Sequence, residues 1–341
     1  MPLFGRNGGL GFLRHYNRLF VAAASLAMLA NVAKSIAWSL GVVALAGLIC
    51  VAYGVFVERR WYRLATYRLP ILPAGSRAGP KILHLSDLHF VTSDGGKARF
   101  LASLPEADVT IVTGDVLGEP EAVAAVARAL GPARGRTASL VVLGSNDYFA
   151  PRPLSYLAYF RKRRRRRSGK PGGARDLVPR LRADGWTHLR NRRIAMEVAG
   201  VRLEVVGLDD PHIERHDLRV AARSDPGALG VAVVHSPDPA PELAALGYDL
   251  IVCGHTHGGQ VRMPFLGALV TNSTIPKQLG MGLSRFGRTL LHVSPGLGTS
   301  KFAPFRFLCR PEATLLELVP RSSPQAVDSA AELRTRSNTA S

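Results

Sequence analysis

The chain has 341 residues, and 47% of them are hydrophobic, which is enough for one large packed domain with additional segments. Its formal net charge of +19 favours anionic surroundings such as phospholipid headgroups, nucleic acid or phosphorylated substrates. Its three cysteines, Cys50, Cys253 and Cys309, are far apart and form no CxxC pair. The sequence therefore supports neither a disulfide framework nor a zinc ribbon, and it favours a reducing compartment.

The N-terminal region is strongly apolar. Residues 36–57 carry no charge, and a helix of that length, at about 1.5 Å per residue, spans the roughly 30 Å hydrocarbon core of a bilayer. We therefore predict a transmembrane helix there. Residues 1–35 contain a shorter apolar stretch that either lies in the membrane interface or continues the same helix. A cleaved signal peptide is the alternative, although no small-x-small cleavage site precedes Lys34.

Positive charge around this span predicts its orientation. Several arginines follow the span closely, whereas Lys34 alone lies just before it. The positive-inside rule then predicts a single-pass plasma-membrane protein whose C-terminal domain is cytoplasmic. Residues 58–80 end in a stretch rich in proline and glycine, which predicts a linker between membrane and domain.

Residues 81–318 alternate short apolar runs with helix-like stretches, which predicts an α/β domain. The predicted strands are Lys81–Leu85, Val109–Thr113, Leu140–Leu143, Arg202–Gly207, Val231–Val234 and Asp249–Val252, and the predicted helices include Glu119–Leu130 and Pro239–Leu246. Polar motifs follow most of these strands directly. Active sites of α/β sheets collect in such loops.

A strongly basic insertion, residues 161–173, interrupts the domain. Its seven adjacent cations, residues 161–167, repel one another, so we predict an exposed loop. Three interpretations remain open: binding to an anionic membrane surface, at about 1 kcal/mol per basic residue, a solvated insertion, or nucleic-acid binding. The last is disfavoured because no interleaved aromatic residues accompany the run. Residues 319–341, rich in Ser, Ala and Thr, predict a disordered tail.

Five polar motifs carry the chemistry. In chain order they are Asp87-Leu88-His89, Gly114-Asp115, Gly144-Ser145-Asn146-Asp147, His235 and Gly254-His255-Thr256-His257. Each motif alone is a weak signal, and a further histidine, His84, is interpreted as structural. Together they supply carboxylates, imidazoles and an amide. That mixture suits two divalent metal ions of intermediate hardness, namely manganese, iron or zinc.

In this order the motifs resemble the calcineurin-like metallophosphoesterase superfamily over roughly residues 80–318. With its apolar N-terminus the chain is similar to the membrane-anchored bacterial members. The resemblance implies an αββα sandwich that holds two metals at strand ends and hydrolyses a phosphoester with a metal-activated hydroxide. It also implies the ligands: Asp87, His89 and His257 for the first metal, Asp115 as a bridge, and His235 and His255 for the second.

One motif departs from the family pattern. The usual Gly-Asn-His-Asp/Glu is here Gly144-Ser145-Asn146-Asp147. Either Ser145 takes the ligand position and Asn146 that of the catalytic histidine, or a shift of the loop makes Asn146 the amide ligand. Asn146 and Asp147 are accordingly candidate catalytic residues. Loss of a positioned acid typically costs about 10²- to 10⁴-fold in rate.

His212 is the candidate replacement for the missing histidine. It follows a predicted strand and lies beside Asp209 and Asp210, which are placed to orient it. The alternative is that Asp209 and Asp210 simply form a turn with Pro211.

The sequence thus predicts a membrane-anchored binuclear phosphoesterase acting on a phosphodiester or phosphomonoester, either soluble or lipid-linked. A non-catalytic metal-binding membrane scaffold is the alternative, because the altered turn is also typical of a degenerate enzyme. Nucleic-acid binding through the basic run ranks last. Superfamily folds host many reactions, so the sequence names neither the substrate nor the oligomeric state.

Overall fold

The computed structural model of the protein describes residues 8–151 and 169–321. Two compact units divide at the peptide between Ala52 and Tyr53. The basic run at 161–167 lies outside the described residues. So does the predicted tail from residue 322 onward.

The first unit is a single helix, α1, Gly8–Ala52. Of the two alternatives for the apolar stretch before Lys34, the structure shows the continuous helix, because α1 runs through Lys34 without a break. Ser35 and Ser39 donate hydrogen bonds to the carbonyls of Asn31 and Ser35, 3.0 and 2.9 Å away, so their hydroxyls are satisfied within the helix. Residues Met28–Arg60 are long and apolar enough to cross a membrane, a property that membrane spans share with signal sequences.

The second unit begins with a short π turn, Tyr53–Val57, and a 3₁₀ turn, Glu58–Arg60. The helices that follow are α2 Gly95–Ala102, α3 Val123–Leu130, α4 Ser145–Tyr148, α5 Ala174–Ala183 and α6 Ala240–Ala245. The strands are β1 Arg63–Leu72, β2 Lys81–Leu85, β3 Val109–Thr113, β4 Ala138–Val142, β5 Thr187–His188, β6 Arg192–Val198, β7 Val201–Gly207, β8 Leu229–Val233, β9 Leu250–Cys253, β10 Arg262–Met263, β11 Gly267–Ala268, β12 Gly282–Phe286, β13 Thr289–Val293 and β14 Glu312–Pro320.

These strands form two six-stranded sheets and one small hairpin. The first sheet has the order β1-β14-β2-β3-β4-β5, and the second has the order β12-β13-β9-β8-β7-β6. Strands β2, β3 and β4 are parallel, as are β7, β8 and β9. Their carboxyl ends therefore gather along one edge of each sheet, which is where α/β proteins commonly place active sites.

Apolar side chains that alternate between the two faces of each strand build a four-layer αββα sandwich, as predicted. On β2, Leu83 and Leu85 join the core beneath α2, α3 and α5, whereas Ile82 joins the core between the two sheets. On the far side of the second sheet, Ile251 packs with Leu243 of α6. Because successive side chains of a strand point to opposite faces, each sheet is buried on both sides.

The predicted linker 58–80 instead contains strand β1, which pairs in parallel with β14. Tyr67, Leu69 and Ile71 alternate into the core between the sheets, and their burial stabilises the strand. Pro70 is tolerated because β1 lies at the sheet edge, where an amide donor is dispensable. Strand β14 also runs to Pro320, past the predicted end of the domain at 318.

Candidate active site

The predicted ligands lie at the carboxyl ends of neighbouring strands of both sheets. Their placement is as follows: Asp87 and His89 after β2, Asp115 after β3, Ser145 and Asn146 after β4, His235 after β8, and His255 and His257 after β9. All of these residues are buried or half-buried. The fold therefore brings motifs separated by up to 170 residues or so to one edge of the sandwich.

The backbone at this edge is strained. Asp87, His89, Asp115, His255 and His257 all have positive φ angles, between 40° and 68°. Residues other than glycine rarely adopt this region, and such conformations concentrate at active sites. With these backbone conformations, the side chains leave the ends of their strands and converge on one region.

The first set of donor atoms comes from Asp87, His89 and His257, whose ligand atoms all lie within 4.8 Å of one another. The Nε2 atoms of His89 and His257 are 3.1 Å apart, and Asp87 Oδ1 lies 3.5 Å from His257 Nε2. Asp87 Oδ1 is buried and accepts no hydrogen bond. Buried carboxylate oxygens are normally satisfied, so this atom fits a metal ligand.

A second set consists of Asp87, Asp115 and His235, again within 4.8 Å. His235 Nδ1 lies 2.7 Å from the carbonyl oxygen of Thr113 and must donate to it, which leaves the lone pair on Nε2. His255 Nε2 donates likewise to the carbonyl of Asn272, at 3.1 Å, which leaves the lone pair on Nδ1. These two ring nitrogens are 3.2 Å apart, so their lone pairs are oriented for a shared cation.

Asp115, a member of the second set, also lies close to a histidine of the first set. Its Oδ1 is 3.6 Å from His235 Nε2, and its Oδ2 is 3.6 Å from His89 Nε2. Although burial raises the pKa of Asp115, the neighbouring His235 and His89 bring that pKa below its ordinary value. Burial lowers the pKa of His235, but Asp115, Asp210 and Asp87 outweigh this and raise it to about 9. The centre thus concentrates buried negative charge, as a cation site requires.

Two glycines permit this close approach. Gly114 has φ 84°, and a side chain there would collide with the backbone of Gly144 and the ring of His235. A side chain at Gly144 would collide with the Asp115 carboxylate. Glycine is therefore required at both positions for the donors to converge.

The altered turn Gly144–Asp147 contacts the bridging carboxylate through Asn146. The backbone amide of Asn146 donates to Asp115 Oδ1 at 2.8 Å, and its side-chain amide contacts Asp115 Oδ2. Ser145 is buried at the start of the turn. Asp147 accepts hydrogen bonds from the backbone amides of Gly144 and Leu117, both at 2.9 Å. Its carboxylate therefore holds the turn, and its predicted catalytic role stays a prediction.

His212 lies at the second donor set, with its ring centroid 4.5 Å from that of His255. The predicted turn is also present, as the 3₁₀ turn Pro211–Ile213, and Asp210 Oδ1 caps it by accepting from the His212 amide at 2.8 Å. Asp209 accepts from the Tyr148 hydroxyl at 2.7 Å and from Arg190 at 3.0 Å, and its predicted role in orienting His212 stays a prediction.

The sequence did not identify Asp210 as a residue of this centre. Its Oδ2 is buried and accepts no hydrogen bond among the described residues. Burial raises the pKa of Asp210 to about 7, and its charge acts on His235 and Asp115. The sequence signal that could have identified Asp210 was its position shortly after β7. That strand is the neighbour of β8, and His235 follows β8.

Comparisons with known proteins agree with this geometry. A family model described as calcineurin-like phosphoesterase matches residues 80–259, just over half of the chain. The chain is 27% identical to the uncharacterized metallophosphoesterase YkuE of Bacillus subtilis, over 74% of this chain and 83% of the relative. It is 26% identical to the phosphodiesterase YaeI of Escherichia coli, over 78% of this chain and 92% of the relative.

Among solved structures, the phosphopantetheinyl hydrolase PptH of Mycobacterium tuberculosis is similar at 14% identity with a TM-score of 0.41, covering 74% of this chain and 99% of that one. The family match spans all five motifs up to His257. The chain therefore belongs to the calcineurin-like phosphoesterase family and is a metal-dependent phosphoric ester hydrolase.

Proposed function

We propose that the protein is a membrane-anchored phosphoesterase that uses two divalent cations to hydrolyse a phosphodiester or phosphomonoester. The observation that carries the proposal is the pair of donor sets, each within 4.8 Å, which share Asp87 and are also linked by Asp115, 3.6 Å from His89. In this proposal Asp87, His89 and His257 hold one cation, and Asp115 bridges. The other cation takes His235, His255 and the Asn146 amide. Carboxylate and imidazole donors suit manganese, iron or zinc.

The chain's own residues prepare this centre for phosphoryl chemistry. When bound, the cations supply charge that stabilises phosphoryl oxygens and activates water. The carbonyls of Thr113 and Asn272 hold one ring nitrogen each of His235 and His255, so that the other nitrogen faces the centre; His235 would release its second proton when a cation binds. His212, beside His255, is proposed to donate a ring proton to the leaving oxygen, in place of the histidine that the Gly144–Asp147 turn lacks.

We further propose that helix α1 anchors the domain in the plasma membrane as a single span. The arginines at 59, 60, 63 and 68 support a cytoplasmic location for the domain. The division between compact units at Ala52 and Tyr53 supports a phosphoesterase domain that begins near Tyr53, and the candidate span Met28–Arg60 reaches its first residues. A net charge of +19 favours an anionic membrane surface as partner. The proposed substrate is either lipid-linked or soluble.

The test is hydrolysis by the purified full chain with manganese, iron or zinc. A bis-aryl phosphodiester and an aryl phosphomonoester serve as substrates, and bound metal is measured in parallel. We expect turnover that depends on metal and falls about a hundredfold or more in Asp115→Asn. Asp108→Asn, which alters a surface ion pair with Arg136, is the matched control. Background rates with every metal, despite two bound cations, would favour the non-catalytic scaffold that the altered turn suggests.

A further inference from the structure

Exposed apolar side chains of the second unit are strongly segregated. Among its described residues, every large hydrophobic residue counted as exposed, apart from Leu246, lies in residues 56–61, 263–269 or 302–308. We call these three segments the apolar patch. Monomeric soluble domains scatter such residues singly, whereas a contiguous group marks an interaction surface.

Hydrogen bonds join the three segments into one surface. The carboxylate of Glu58 accepts from the backbone amides of Leu308 and Cys309, at 2.9 and 2.5 Å. The amide of Phe307 donates to Gln260 at 3.0 Å, and the amide of Arg262 donates to Phe307 at 2.9 Å. The patch is therefore one structure, although its parts are up to about 250 residues apart in sequence.

The most exposed part of the patch is the β10–β11 hairpin. At its tip Phe265 is fully exposed and Leu266 is 77% exposed. Phe265 also has φ 65°, a conformation that costs a bulky residue on the order of 1–3 kcal/mol. Within the domain, no burial of the ring offsets that strain. The hairpin thus presents two large apolar side chains outward at a conformational cost.

The chain path indicates what covers this patch. Residues 56–61 follow helix α1 after only a few residues, and the candidate membrane span Met28–Arg60 runs into the patch itself. If that span crosses a bilayer, the patch lies at the surface where the span leaves it. Trp61, which is half exposed with the Arg310 guanidinium 3.9 Å from its ring centroid, has the amphipathic character of interfacial residues.

We propose that the apolar patch docks onto the bilayer, with Phe265 and Leu266 inserted among the lipids, and that the substrate is a phosphoester carried on a lipid headgroup. This inference rests on the proposed function. The patch is continuous with the metal centre: Arg262 donates to the carbonyl of Gly258 at 2.8 Å, and the Cys309 thiol contacts the carbonyl of His257 at 3.2 Å. Docking therefore holds the His257 edge of the centre at the membrane surface.

Insertion depth tests the docking without relying on activity. In a Cys50→Ser background, Leu266→Cys and, as the matched control, Leu246→Cys are labelled with an environment-sensitive fluorophore. The full chain is reconstituted in phosphatidylcholine and phosphatidylglycerol vesicles. We expect the probe at 266 to shift to the blue and to be quenched by spin-labelled lipids, while the probe at 246 is quenched by aqueous iodide. Iodide quenching at both positions would overturn the proposal. Shielding at 266 that persists in detergent and grows with protein concentration would do so too, because it indicates a second copy.

Hydrolysis assays test the lipid substrate class separately from the proposed phosphoesterase function. We expect Phe265→Ser with Leu266→Ser to reduce hydrolysis of a vesicle-embedded phosphoester lipid by about tenfold or more, because two inserted apolar side chains are lost. Hydrolysis of a soluble aryl phosphodiester should not change, and Leu246→Ser should lose neither activity. Equal loss on both substrates would overturn the lipid assignment. Background rates with every variant and substrate would defeat the proposed function, whereas the depth measurement would still report on docking.

Discussion

A chain of buried hydrogen bonds runs from the second sheet to the metal centre, and its direction is fixed. Asp87 Oδ2 only accepts, so the Ser86 hydroxyl donates to it at 2.6 Å, and the Thr113 hydroxyl donates to Ser86 at 2.7 Å. His84 Nε2 must then donate to Thr113 at 2.9 Å, and His84 Nδ1 accepts from His292 Nδ1 at 2.9 Å. Both imidazoles are therefore neutral in the folded protein.

This neutrality makes stability depend on pH. Burial and the nearby His292 place the pKa of His84 well below its ordinary value, and burial lowers the pKa of His292 to about 3. In the unfolded chain both titrate near pH 6.5. Below that pH the unfolded state binds two protons that the folded pair does not, so the free energy of unfolding falls with acidification. The slope is about 1.4 kcal/mol per pH unit for each histidine, or roughly 2.7 kcal/mol for the pair.

The perturbation is the double substitution His84→Leu with His292→Leu, which keeps similar volume and removes both titrating groups. Urea unfolding of wild type and variant is followed between about pH 7 and pH 5. We expect the wild-type free energy of unfolding to fall more steeply with acid, by roughly one proton near pH 6.5 and close to two near pH 5, and each single variant to lie between the two. Parallel pH profiles would refute the assignment of two neutral buried imidazoles.

Three substitutions test the metal centre, and two of them are paired with a comparison variant. Asp210→Asn should weaken binding of one cation about 10- to 100-fold, measured by calorimetry and metal content, because it removes buried charge beside the second donor set. Asp209→Asn should leave that affinity unchanged. Asn146→Ala should reduce affinity for the second cation by a similar factor, and Ser145→Ala should have little effect, so the reverse order would assign the ligand to Ser145. His212→Ala should reduce turnover by about 10²-fold with both cations retained, and the acidic arm of its pH–rate profile should not move.

The interior strands of the fold could be predicted because each one is a short apolar run that is visible in the local sequence. Strands β2 and β3 have the predicted boundaries, since each is an apolar run that ends at the first residues of a polar motif. Parallel strands that are buried on both faces require such nearly continuous apolar runs. The order of the motifs along the chain then predicted which residues converge at the strand ends.

Edge elements were not predictable in the same way. Strand β1 carries Arg68 and Pro70 among its apolar residues, so its composition resembles a linker. Only pairing with β14, about 250 residues later in the chain, makes it a strand. The contact between His212 and His255 likewise depends on the order of β7, β8 and β9 in the sheet. The sequence around His212 does not indicate that order.

The role of Asp147 shows the limit of a motif. Its position in Gly144–Asp147 indicated chemistry, and each of its carboxylate oxygens accepts a hydrogen bond from a backbone amide of this region. The sequence pattern records that an acidic residue is needed there. It does not distinguish a side chain that reacts from one that holds the turn in place.

Strain and buried charge together bear on the choice between enzyme and scaffold. Five ligand positions with positive φ cost on the order of 1–3 kcal/mol each, and Asp87 and Asp210 carry buried carboxylate oxygens without hydrogen bonds. A domain held together only by its own contacts gains nothing from these features, so their cost must be offset by binding at the centre. Both functions require that binding, and therefore the donor sets cannot separate them. The separation rests on His212, whose ring lies 4.5 Å from that of His255 at the centre and which a pure scaffold does not need there.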